Sequence, residues 1–222
     1  MKRIKRISAW ILTLAILLTL TVPTFAASSV QSEVQSSAAF MLSSVKSPEV
    51  GSIGGEWAVL GLARSGYSVR TDYFDTYYAN VEKYVKNCSG VLHDRKYTEY
   101  SRVILALTAI GRDPSNVAGY NLLTPLGDFE KTIWQGLNGP IWALIALDSH
   151  DYPTSGDVTR EKLVQTILDA QLPGGGWALA GTAADPDLTA MALTALAPYY
   201  DKGGSVRHAV DDALEGLSAE QG

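Results

Sequence analysis

Two carboxylates stand two residues apart at Asp185 and Asp187, just after a run of three glycines and a tryptophan, Gly174 to Trp177. Carboxylates this close suit general acid–base chemistry when their surroundings hold one of them protonated. The same residues also suit a helix start. Asp185 fits the N-cap, Pro186 the first helical position, and Asp187 the first turn, where the helix dipole favours an anion. Glu56, Glu99, Asp148 and Asp151 add carboxylates near other helix ends. Glycoside cleavage needs two such groups across a cleft, and nothing in the spacing pairs any of these. Trp57, Tyr100, Trp134, Trp142 and Trp177 fall at the loop ends of Ala/Leu-rich segments. As a group, with Asp185 and Asp187, they are the candidate ligand-binding residues; singly, each can equally staple a loop to the fold. Cys88 is alone, and His93, His150 and His208 lack the spacing of metal ligands, so no metal site is expected. No catalytic residue is assigned.

These residues need helices to position them. Apolar residues recur at helical spacing in the segments around Trp57 to Leu62, Tyr73 to Val85, Tyr100 to Leu107, Trp142 to Leu147, Leu163 to Leu168 and Leu188 to Tyr199. No segment alternates with period two, so no sheet is expected. Aligned on Leu62, Leu107, Leu147 and Leu196, the Ala/Leu-rich helices recur at intervals of 45, 40 and 49 residues. That is the period of a helix–loop–helix unit and signals a repeat architecture. Each unit pairs an amphipathic outer helix with an apolar inner one, and the helix beginning at Asp185 is apolar almost all round, which predicts burial on all sides. Tyr120 to Asp128 is read as a short flap before Trp134. Leu214, Leu217, Gln221 and Gly222 repeat the offsets of Val164, Ile167, Gln171 and Gly174. The chain therefore reads as four hairpins plus part of a fifth, truncated at the C-terminus.

Gln171, Gly174 to Gly176 and Trp177, followed by Asp185-Pro186-Asp187-Leu188-Thr189-Ala190, resemble the repeats of the terpenoid cyclase and protein prenyltransferase α/α-toroid superfamily. The likeness spans about 38–222 and is nearest to bacterial secreted proteins with prenyltransferase and squalene oxidase repeats, which are also similar to cobalamin carriers of the transcobalamin kind. It implies an all-α (α/α) toroid, usually of six hairpins. It also implies a corrinoid-like molecule as one possible ligand, with no other cofactor. In squalene–hopene-type cyclases a similar Asp-x-Asp-Asp-Thr-Ala motif protonates an alkene through its middle Asp. Asp187 would be that acid here, with Leu188 in place of the last Asp. The zinc site of prenyltransferases finds no counterpart in Cys88 and the scattered histidines. The reading from the residues and the resemblance together is a non-catalytic module that binds a small apolar or corrinoid-like ligand or a surface protein. A class II-type terpenoid cyclase using Asp187 is the alternative.

Residues 1–26 carry Lys2, Arg3, Lys5 and Arg6, an apolar run from Trp10 to Val22, and small residues Thr24 and Ala26 around Phe25, the layout of a cleaved export signal. Residues 27–37 are small and polar and read as a flexible lead-in; 38–222 form the repeat domain. Without the signal, 14 Lys and Arg face 23 acids, a net charge near −9. That excludes a nucleic-acid partner, which would need a basic stripe, and an anionic membrane surface once the signal is gone. A lone cysteine forms no internal disulfide, so an exported fold must rest on its core. The expected location is secreted or wall-associated, in a bacterium.

Overall fold

The computed structural model describes residues 30–51 and 54–220, and among them every regular element is helical. The export signal read over 1–26 lies outside the described residues. The first helix, α1, covers 30–44. There follow α2 (Glu56–Arg64), α3 (Thr71–Asn87), α4 (Thr98–Ala109), the short α5 (Phe129–Thr132), α6 (Asn138–Asp148), α7 (Arg160–Asp169), α8 (Pro186–Leu196) and α9 (Gly204–Glu220). Short 3-10 turns at Thr124–Gly127 and Ile133–Gln135 flank α5. The sheet-free expectation holds among these residues, where pairing is limited to one isolated bridge between Val117 and Tyr120. No described helix is long and apolar enough to cross a membrane.

The apolar helices form a row: α2 packs on α4, α4 on α6, and α6 on α8. Helix α6 shows why. It buries Gly139, Pro140, Ile141, Ala143, Leu144, Ala146 and Leu147, residues from all round its circumference, and it can do so because α4, α7 and α8 cover it. The longer helices have one buried stripe each. In α3, Tyr73, Tyr77, Val81 and Val85 are buried at four-residue spacing, while Asp75, Thr76, Lys83 and Lys86 face solvent. Each fully buried aliphatic side chain in such a stripe stabilises the fold by about 1.5–3 kcal/mol.

Three expectations from sequence change. Helix α1 begins inside the stretch read as a flexible lead-in: Ala38 is buried, and the Met41 methyl lies close to Gly61 of α2. Helix α8 is not buried all round. Leu188, Thr189, Ala192, Ala195 and Leu196 are buried, but Ala190, Thr194 and Ala197 are exposed, because α6 and α9 cover only part of its circumference. The segment 120–128 is not a flap either, since Leu122, Leu123 and Leu126 are buried in the core and Gly127 accepts a hydrogen bond from the Asp157 amide.

Candidate functional site

The N-terminal ends of α2, α4, α6 and α8 carry two adjoining basins. The smaller, about 220 Å³, is lined by Trp57, Thr98, Arg102, Gln135, Asn138 and Trp142. The larger, about 480 Å³, runs from Asn138 past Leu179 and Ala184 to Asp185, Asp187 and Met191. Asn138 belongs to both, so the basins meet at the first turn of α6.

Helical periodicity sets the smaller basin. Asn138 and Trp142 stand four residues apart on α6, and Thr98 and Arg102 four apart on α4, so each pair shares a helix face. The rings of Trp57 and Trp142 lie 5.1 Å apart and tilted by 55°, and Trp57 remains 39% exposed. Gln135 is fixed by its carbonyl oxygen, which accepts from the Thr98 amide at 3.2 Å and the Thr98 hydroxyl at 3.0 Å. Arg102 donates through Nε to Glu56 at 3.0 Å and through Nη2 to Glu99. Glu56 is fully buried and accepts a second bond from the Gly51 amide at 2.9 Å. A buried carboxylate held by a guanidinium and an amide is strongly tied to its place, because losing either partner leaves a desolvated charge. Tyr77, behind this pair on α3, has its phenol pushed well above the ordinary range, first by burial and then by the Glu56 carboxylate.

The larger basin is shaped by the glycine run. Gly175 and Gly176 have φ of 82° and 73°, in the left-handed region that side chains avoid. A Cβ on Gly176 would meet Ala184 at 2.8 Å and the Thr189 hydroxyl at 2.9 Å. That hydroxyl accepts from the Trp177 amide at 3.0 Å and donates to the Trp177 carbonyl at 3.3 Å. The Trp177 indole is fully buried and donates to the Ile167 carbonyl at 2.7 Å. Gln171 donates to the Ala209 carbonyl of α9 at 2.7 Å. The Gln–Gly-Gly-Gly–Trp element thus ties α7, α8 and α9 together. Asp185 caps α8 by accepting from the Leu188 amide at 2.7 Å, as its spacing to Pro186 predicts.

The expected ligand-binding residues therefore divide. Trp57 and Trp142 meet at the smaller basin, and Asp185 and Asp187 border the larger. Trp134 is exposed with the Arg95 guanidinium 5.6 Å from its ring centroid, and it lines neither basin. Tyr100 and Trp177 face the core instead. The Tyr100 hydroxyl accepts from the Leu92 amide at 3.1 Å, so its ring staples a loop. Thr98, Arg102, Gln135 and Asn138 were missed. Arg102 had a signal: it is a cation directly before the apolar run Val103 to Leu107, four residues after Thr98. Among the described residues no group of three or more His, Cys, Asp or Glu is placed to hold a metal ion. No family model, no curated protein and no solved structure matches the chain.

The arrangement offers ring faces and hydrogen-bond donors in the smaller basin and carboxylates in the larger. Asp187 is exposed in the first turn of α8, where water reaches it. Among the described lining residues the one hydroxyl, that of Thr98, donates to the Gln135 side-chain oxygen.

Proposed function

We propose that the protein is an exported, non-catalytic binding module of the prenyltransferase and squalene oxidase repeat type, with its helices arranged as an (α/α) toroid. The alternation of a packed row (α2, α4, α6, α8) with more polar helices supports the toroid reading. The ligand, whether a small molecule such as a corrinoid or a surface partner, is held over the N-terminal ends of that row. The observation that carries this reading is the pair of basins joined at Asn138, an open concavity lined by aromatic and polar side chains but without an assembled set of reacting groups.

The reading is tested with the Asp187→Asn variant. As a binding module, the protein gives no cyclised product from squalene, with or without the Asp187→Asn substitution. Product from the native protein that disappears in Asp187→Asn overturns the non-catalytic reading.

A further inference from the structure

We propose that the smaller basin is a subsite for a neutral saccharide, with the larger basin taking the next sugar units. This rests on the binding-module reading and names its ligand class.

The donors point to a ligand rich in acceptors. Gln135 uses its oxygen on Thr98, which leaves both amide hydrogens of Nε2 without a partner among the described residues. The Asn138 side chain, at the junction of the basins, likewise has no hydrogen bond among the described residues, and Arg102 retains Nη1 after its Nε and Nη2 bind the two glutamates. Each group is half-buried, and polar groups in such places gain most from a ligand that completes their bonding. Hydroxyl groups do so, because each both accepts and donates.

The tryptophans supply the second requirement. A pyranose ring presents a face of polarised C–H bonds, and an indole face carries the negative part of the ring quadrupole. Trp57 and Trp142 are tilted rather than stacked, so neither ring fully covers the other, and Trp57 keeps substantial exposure. Such exposed aromatic area costs little to order and is well suited to one sugar ring at a time.

Charge removes the nearest competitors. Arg102 is the single cation lining the two basins and is already matched by two carboxylates; Asp185 and Asp187 add negative charge to the larger basin. A phosphate or carboxylate ligand would meet net repulsion. A quaternary ammonium would favour the tryptophans but could not accept from the N–H donors of Gln135 and Arg102 that line the basin with them. A neutral polyol satisfies both the ring faces and the donors. A small basin opening into a larger one along Asn138 fits a chain of sugars better than a single one.

The test is calorimetric titration of the purified protein with N-acetylchitotetraose, cellotetraose and maltotetraose, with their monosaccharides, choline and hydroxocobalamin alongside. At least one tetrasaccharide is expected to bind, more tightly than its monosaccharide. Trp57→Ala is expected to weaken it about tenfold or more and Asn138→Ala about threefold, with Trp134→Ala unchanged. Trp57→Phe, which keeps a ring in place, is expected to lose less than Trp57→Ala; circular dichroism confirms that each variant is folded. The saccharide proposal is overturned if no saccharide binds at millimolar concentration, or if binding is indifferent to Trp57 and Asn138. If choline or hydroxocobalamin binds instead and Trp57→Ala weakens it, the binding module stands and the saccharide assignment falls. If none of the probes binds, both the assignment and the small-molecule form of the reading fail.

Discussion

At the scale of single residues, the Glu56–Arg102–Glu99 cluster holds the mouth in place, whereas two tyrosines of α3 leave a cost unmet. Tyr73 and Tyr77 bury their hydroxyls without a hydrogen-bond partner among the described residues, and a buried, unsatisfied hydroxyl costs about 1–3 kcal/mol. Tyr77→Phe removes that cost while keeping the buried ring in the core. It is expected to raise unfolding stability by about 1 kcal/mol, read from the denaturant midpoint at unchanged slope. A loss of similar size would show that the hydroxyl is bonded. Residue chemistry was only partly legible in the sequence. The cap at Asp185 was readable because a cap needs only neighbours along the chain. The partners of Arg102 were not, because Glu56 lies 46 residues away and only folding brings them together. Tyr100 and Trp177 were read as mouth residues because they sit at loop ends, yet an aromatic at a loop end can turn inward when its polar atom finds a backbone partner, as both do here.

At the scale of elements, the glycine run before Trp177 is the best-determined junction. Its left-handed backbone and its closeness to Ala184 and Thr189 leave no room for a side chain at Gly176. Gly176→Ala is expected to cost about 1–3 kcal/mol of stability, whereas Gly174→Ala, where a Cβ would meet nothing within 4 Å, is expected to change it little. Equal effects at the two positions in thermal unfolding would contradict this account. The helices were legible because their apolar residues follow the 3.6-residue period, and the start of α8 because Asp185 caps it; α2, α4 and α6 begin without a capping side chain. What periodicity could not tell was coverage. Helix α8 is largely apolar like α6, but α6 has a helix of the row on each side and α8 has α6 on one side only, so two apolar helices acquire unequal burial. The start of α1 was missed for a related reason: its polar residues hide a stripe that matters only once α2 is beside it.

At the scale of the whole molecule, the row of α2, α4, α6 and α8 gathers first-turn residues from four separated stretches of sequence at one end. This is why a site can form from Trp57, Thr98, Asn138 and Asp185, no two of which are close in the chain. The all-helical class follows from the sequence pattern; the grouping of the mouth residues follows from the packing. The chain is acidic, with 18 Lys and Arg against 23 Asp and Glu, and Arg102 is the one cation among the residues lining the two basins, consistent with a neutral ligand in place of a nucleic acid or phosphate. The most direct test of the central claim is a two-dimensional NMR spectrum of the indole N–H groups during titration with the saccharides. The account predicts that the Trp57 and Trp142 signals move together and saturably, while buried Trp177 and outlying Trp134 stay fixed. Shifts confined to Trp134, or shifts of all four alike, would contradict it.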